Sequence, residues 1–180
     1  MKLSSISTPR LTLHAIAPKD EKALIDLLTH PTVGKTYMLP EFTAREEARP
    51  LAQKITALSA DDTRFVYGVF LSDRLIGMVN DVTTQDTYIE LGYAYHPDYY
   101  NRGYATEALI ACIDALLSQG YPAVRTGAFP ENAASIRVME KAGMTRLLEA
   151  EAVEYRGKTY HCVLFERAHE NIPENTTFCL

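Results

Sequence analysis

An α+β fold, built on a mixed and mostly antiparallel sheet of about seven strands with helices packed on it, is predicted by three observations. Three strand-like runs follow one another between residues 64 and 96 with only short turns between them, the pattern of an antiparallel meander. The last of these, at 87–96, leads through a periodic helix at 103–119 to an apolar strand at 123–129. A strand–helix–strand unit of this kind needs a right-handed crossover and pairs its strands in parallel. No repeat or low-complexity linker interrupts the 180 residues, a length suited to one domain with its own core. The predicted order is β-α-α-β-β-β-α-β-α-β-β.

Arg10–Ile16 alternates Leu11, Leu13 and Ala15 against Thr12, His14 and Ile16, and reads as the first strand. Pro18, Lys19 and Asp20 then open a helix over about 21–29 with Leu24, Leu27 and Leu28 on one face. Residues 30–42, HPTVGKTYMLPEF, are loop-like yet display Tyr37, Met38, Leu39 and Phe42. Thr43 with Glu46 predicts a capping box for a second helix striped by Leu51, Ile55 and Leu58, which Pro50 kinks or divides. Strands at 64–71 and 74–82 are joined by the two-residue turn Ser72-Asp73. The helix at 103–119 carries Ala108, Leu109, Cys112, Ala115 and Leu116 on its core face and stops at Gly120. Asn132 caps a last helix that Gly143 closes, and strands at about 145–154 and 159–167 flank the turn Tyr155-Arg156-Gly157-Lys158. The tail at 168–180, AHENIPENTTFCL, is polar, lacks periodicity and is expected to be poorly ordered.

The formal charge of -5 argues against a nucleic-acid partner, which normally requires a basic stripe. No stretch approaches a membrane span, and the N-terminus has no apolar run of the signal-peptide kind, so a cytoplasmic location is expected. Three cysteines form no CxxC; Cys112 and Cys162 lie in apolar runs and read as buried small hydrophobes. Five histidines are scattered without ligand spacing, so no metal is expected.

The stretch YNRGYATEAL, residues 100–109, puts Gly103 and Ala105 at the start of a helix. Bare positions there let a guest approach N–H groups that have no intrahelical partner, and the guest suited to them is an anion, best a phosphate. A glycine before a helix is common in tight connections of any kind, so the turn gains meaning from its neighbours. IELGYAYHP precedes it and PENAASIRVMEKAGM follows one strand later.

With these blocks the chain resembles the GNAT superfamily of N-acetyltransferases, and within it the branch of ribosomal-protein N-terminal acetyltransferases of the RimJ and RimL type. TPRLTL, IELGYAYHPDYYNRGYATEAL and ENAASIRVMEKAGM match that branch in order and spacing, within residues 7–167, which the resemblance makes a single domain. Tyr100 departs from the superfamily's loop, which has Gln or Arg at that position, while Arg102 can supply the cation. The resemblance implies helices on both faces of the sheet and acetyl-CoA as co-substrate. Its pyrophosphate would sit at Arg102, Gly103, Tyr104, Ala105 and Thr106, its pantetheine arm along the strand edge Gly92, Tyr93, Ala94 and Tyr95, with Asn132 as a further contact. Asn132 is equally an ordinary N-cap.

Two residues are candidates for moving protons, because an ammonium acceptor must lose one and the departing thiolate must gain one. Glu90 stands in an apolar strand six residues before His96. At ~3.3 Å per residue that is about 20 Å from the phosphate end, comparable to an extended pantetheine arm. It is either the base or a solvent-facing strand glutamate. Ser135 is an acid for the thiolate, a cofactor ligand or a capping serine. The tyrosine acid that other superfamily members carry seven residues after the asparagine is replaced here by Met139. No cysteine stands in a motif for a covalent acetyl-enzyme, so direct transfer is expected.

Tyr37 and Phe42 are candidate walls for the acceptor, with Glu41, Glu46 or Glu47 drawing its amine; the alternative is a set of loop anchors on the core. The acceptor is a protein N-terminus or a small amine such as a polyamine, amino sugar or antibiotic. An acetyl-CoA-sensing domain without turnover is the alternative outside enzymology. A nucleotide-binding protein is third, and the chain has no GxxxxGK[ST] to support it. Monomer and homodimer both stay open.

Overall fold

The structure, a computed structural model, describes residues 3–169. Its elements are β1 (Ser5–Ser7), β2 (Leu11–His14), α1 (Glu21–Thr29), α2 (Arg49–Ala60), β3 (Val66–Leu71), β4 (Arg74–Thr84), β5 (Ile89–Tyr95), α3 (Tyr104–Ser118), β6 (Ala123–Ala128), α4 (Ala133–Lys141), β7 (Thr145–Tyr155) and β8 (Lys158–Ala168). The sheet runs β1-β2-β3-β4-β5-β6-β8-β7. Among the described residues only β5 and β6 pair in parallel; every other neighbouring pair is antiparallel. The expected mixed, mostly antiparallel sheet is therefore present, with eight strands in place of about seven. The added strand, β1, offers one inward residue, Ile6, and pairing with β2 holds it. Three residues are too few for alternation to register as a pattern.

Two cores hold the layers together, one on each face. On one, Leu13, Val69, Ile76, Val79 and Leu91 of the sheet pack on Leu109, Cys112, Ile113 and Leu116 of α3 and Met139 of α4. On the other, Val66, Phe70, Met78 and Ala94 pack on Leu24, Leu27 and Leu28 of α1 and on Ala52 and Ile55 of α2. Fully burying such a side chain contributes ~1.5–3 kcal/mol, more than the whole range of helix propensity per residue short of proline, so packing sets where the helices lie. The face of α3 is wider than expected: Ile113 and Leu117 are buried, and Ala115 is only half-buried. Cys112 and Cys162 are free and buried.

The entry to α2 differs from the sequence expectation. Thr43 is bonded by Glu47, not Glu46: its N–H donates to Oε2 at 2.8 Å and its hydroxyl to Oε1 at 2.7 Å. A 3-10 turn at Arg45–Ala48 intervenes, and the α-helix begins at Arg49 with Pro50 in its first turn. Pro50 therefore neither kinks nor divides the helix, because its missing N–H falls where no intrahelical bond is due. The buried stripe of the helix is Ala52, Ile55 and Ser59, and Leu51 and Leu58 are half-buried at its margins.

One irregularity of the sheet prepares the site. Parallel pairing joins Ile89 to Val124, Glu90 to Arg125 and Leu91 to Thr126, and stops there. β5 continues to Tyr95 paired with β4 alone, while β6 continues through Gly127 and Ala128 paired with β8. The two strands splay after Leu91. Close approach on the β4 side supports this course: a Cβ on Gly77 would stand 2.6 Å from the Ala94 carbonyl oxygen and 2.6 Å from the Tyr95 ring. At the C-terminal end, the His169 N–H donates to the Pro122 carbonyl at 3.2 Å. Residues 170–180, most of the tail expected from 168, lie outside the described residues.

Candidate functional site

The turn that joins β5 to α3 is built by local chemistry. The His96 ring accepts from the Asp98 N–H at 3.3 Å and caps a short 3-10 turn, Pro97–Tyr99, so His96 is the strand-end residue expected of it. Asn101 and Gly103 then take positive φ, 59° and 79°. The first helical bond of α3 runs from the Glu107 N–H to the Gly103 carbonyl at 3.0 Å. The N–H groups of Gly103, Tyr104, Ala105 and Thr106 precede that bond and have no i−4 partner in the helix. An αL residue followed by helical ones turns successive N–H groups toward one point, an arrangement suited to an anion. Arg102 is exposed beside it, its guanidinium 5.9 Å from the Tyr99 ring centre.

Gly92, Tyr93, Ala94 and Tyr95 lead into this turn, and their edge away from β4 has no ladder partner. A ligand rich in amides can pair along such an edge. Tyr93 turns its side chain toward α4, where its hydroxyl lies 2.6 Å from Ser135 Oγ. Burial pushes the Tyr93 phenol up to about 12, so it remains protonated near neutral pH and can donate. Asn132 Oδ1 accepts from the Ser135 N–H at 3.2 Å, which is the N-cap role, and leaves its amide N–H2 group to donate elsewhere.

By strand alternation the even-numbered residues of β5 share the sheet face on which Ala94 joins the α1–α2 core. Glu90 is half-buried there, and its Oε1 lies 3.8 Å from where a Cβ on Gly127 would stand, an ordinary contact distance that puts the carboxylate beside the part of β6 from which β5 has splayed. Burial first, and then the Glu151 carboxylate, push the Glu90 carboxyl above its usual range. Arg125 opposes this but is itself held by Glu166 at 2.6 Å, so its charge is shared. A carboxylate raised in this way is better matched to a proton acceptor's task near neutral pH than a solvated one.

Tyr37 and Phe42 are not brought together. The Tyr37 hydroxyl donates to Asn80 Oδ1, and a Cβ on Gly92 would stand 3.4 Å from the Tyr37 ring. Phe42 instead lines a cleft of about 320 Å³ with His30, His96, Asp26 and Arg45, at the far end of β5 from Glu90. Both aromatics also pack on the α1–α2 core, as the anchor reading expected. Of the acids expected to draw an amine, Glu41 faces Arg156 at 3.5 Å and Glu47 is used on Thr43. The loop is strapped to the β7–β8 hairpin: the Tyr155 hydroxyl lies 2.9 Å from the Gly34 carbonyl and 3.1 Å from that of Leu39. Phe129 and Tyr160 pack beside it, their ring centres 4.4 Å apart.

Sequence reasoning missed the Tyr93 side chain and Tyr155. The strand position of Tyr93 announces only its backbone, since the partner of its hydroxyl is 42 residues away, and Tyr155 stands in the sequence as one residue of a turn. Among the described residues no group of three or more His, Cys, Asp or Glu is placed to hold a metal ion, and no helix is long and apolar enough to cross a membrane.

Comparison with known proteins bears on this arrangement. Residues 10–145 match the model of the acetyltransferase (GNAT) domain. The protein YnaD of Bacillus subtilis, named an N-acetyltransferase, is 31% identical over 150 residues, covering 78% of this chain and 82% of that one. The protein p20 of Bacillus licheniformis, also named an N-acetyltransferase, is 28% identical over 154 residues, 80% of this chain and 86% of the other. Among solved structures, RimL, a ribosomal L7/L12 alpha-N-protein acetyltransferase in complex with coenzyme A, superposes with a TM-score of 0.78 at 18% identity, covering 91% of this chain and 97% of that chain. At that identity the likeness speaks for the fold.

Proposed function

The chain belongs to the GNAT acetyltransferase family and is an N-acetyltransferase, and on that premise we propose that it takes acetyl-CoA and passes the acetyl group directly to a primary amine in the cytoplasm. The observation that carries this reading is the splay of β5 from β6 after Leu91, which leaves the Gly92–Tyr95 edge free and leads it into the bare N-terminus of α3. Amide-rich pantetheine suits the edge and pyrophosphate suits the N–H groups of residues 103–106, with Arg102 as counter-charge. Acetyl-CoA supplies an activated acyl group as a thioester.

Glu90 removes the ammonium proton of the acceptor, directly or through water. Ser135 gives a proton to the departing sulfur, with the Tyr93 hydroxyl, 2.6 Å away, oriented to replenish it. Asn132 orders the start of α4 and so sets where Ser135 stands. The acceptor reaches Glu90 from the face of the sheet that carries the α1–α2 core. The motif resemblance to the RimJ and RimL branch, through TPRLTL, IELGYAYHPDYYNRGYATEAL and ENAASIRVMEKAGM, is the ground for taking a protein N-terminal amine ahead of a small amine.

Direct transfer requires both substrates on the enzyme together. Initial rates measured across both concentrations should give intersecting reciprocal plots; parallel lines would mean a covalent acetyl-enzyme and contradict this reading. Tyr37, which lies over Gly92, and Phe42, at the far end of β5, should separate. Tyr37→Phe is expected to raise the acceptor's KM several-fold without moving acetyl-CoA affinity, and Phe42→Leu to change neither by more than about two-fold. Equal effects of Tyr37→Phe on both substrates, with lowered stability, would make Tyr37 a core anchor only.

A further inference from the structure

The turn at 101–106 does not hold its shape alone. Arg10, in the connection between β1 and β2, reaches it from a sequence distance of 92 residues: its Nη1 donates to the Arg102 carbonyl at 2.9 Å. The same guanidinium grips Glu107 in the first turn of α3, with Nε and Nη2 each 2.6 Å from Oε2. The Arg10 N–H adds a bond to Oε1 at 3.0 Å, and the Thr8 hydroxyl another at 2.6 Å. The Arg10 guanidinium also lies 4.7 Å from the centre of the Tyr104 ring. One side chain thus joins the carbonyl before Gly103, the first residue of α3 and the carboxylate three residues on.

Two consequences follow for an anion at this helix end. In a trans peptide the C=O and the next N–H point in opposite directions. By holding the Arg102 carbonyl, Arg10 aims the Gly103 N–H away from itself, to the other side of the turn. The second consequence is electrostatic. A bare carboxylate in the first turn of α3 would repel a phosphate bound at the same end. Arg10 neutralises Glu107 and occupies both of its oxygens. Burial acts to raise the Glu107 carboxyl, but the bonds from Thr8 and Arg10 outweigh it and hold the carboxyl low. Glu107 is thereby kept as a fixed anchor for Arg10.

We infer that Arg10, anchored by Glu107 and Thr8, is a positioning residue that presets the turn at Arg102–Thr106 for the phosphates of the co-substrate. This rests on the proposed placement of the acetyl-CoA pyrophosphate at that turn. It assigns the β1–β2 connection a part in recognising the nucleotide half of the co-substrate, with no part in handling the acetyl group.

S-acetylpantetheine separates this role from a merely structural one, because it keeps the thioester and the amide arm and lacks the phosphates and nucleotide. Arg10→Met should raise the Kd for acetyl-CoA by about 10-fold or more, since it removes charge-assisted bonds that order the turn. It should leave kcat at saturating acetyl-CoA, and kcat/KM for S-acetylpantetheine, within about two-fold of wild type. Arg10→Lys keeps the charge but cannot bridge Glu107 and the Arg102 carbonyl as a planar fork does, so it should fall between the two. It also serves if the methionine variant is poorly folded, which thermal melting reports. Equal losses with both acyl donors, or an unchanged Kd for acetyl-CoA in folded Arg10→Met, would overturn the inference. Gly103→Ala distinguishes the two levels: if it weakens acetyl-CoA while Arg10→Met does not, the phosphate site stands and the role of Arg10 falls. If Gly103→Ala has no effect either, the placement of the phosphates falls with it.

Discussion

Glu90→Gln is expected to lower kcat by ~10²–10⁴-fold near neutral pH, the range of general-base contributions, with acetyl-CoA affinity unchanged. The expectation rests on a half-buried carboxylate whose ionisation is pushed upward, first by burial and then by Glu151. In the wild-type enzyme the rate should fall as pH drops through this raised value, because the base takes up a proton. Glutamine has no such limb, and its residual rate should climb with pH as more acceptor arrives already neutral. Stability separates this role from a structural one. A carboxyl whose folded-state pKa is raised favours the folded state when protonated, and that stability is lost as pH rises through the folded value. At neutral pH the neutral glutamine should therefore leave stability equal or higher while activity collapses. A loss of only about two-fold, or a wild-type pH–rate profile, would remove Glu90 from the mechanism.

Gly103→Val should cost acetyl-CoA affinity by about 100-fold or more. Gly103 has a φ of 79°, a region that a β-branched residue occupies only under strain. Forcing valine there costs ~1–3 kcal/mol, and the turn can relieve it only by rotating the peptides whose N–H groups converge. Losing two charge-assisted bonds to phosphate, at ~1.5–3 kcal/mol each, accounts for the predicted factor. The helix itself is held by buried Leu109, Cys112, Ile113 and Leu116, so circular dichroism should remain close to wild type. Calorimetry on the folded variant reads the affinity directly, and an unchanged value would place the phosphates elsewhere.

What could be read from the sequence was local. Gly103 followed by a periodic run located α3 to within a residue, and Asn132 located the start of α4, because cap residues and 3.6-residue periodicity act over a few positions. The parallel pair β5–β6 followed from chain order and handedness alone. β1 escaped because three residues with one apolar position carry no period. Glu47 took the place expected of Glu46 because a 3-10 turn, which no single residue announces, shifted the spacing by one. The contacts that organise the candidate site were invisible for a different reason. Tyr93 meets Ser135 across 42 residues and Arg10 meets Glu107 across 97, so only the folded sheet brings them together. Tyr37 and Phe42, five residues apart in one loop, read as one wall and are separated along β5.

The most direct measurement is amine-dependent release of free CoA thiol, paired with mass spectrometry of the acceptor, across a panel of N-terminal peptides and small amines. The account predicts that at least one primary amine accelerates thiol release and gains one acetyl group per thiol, with the protein itself unmodified. Thiol release matched by acetylation of the protein, or tight binding of acetyl-CoA with no turnover for any amine in the panel, would contradict it.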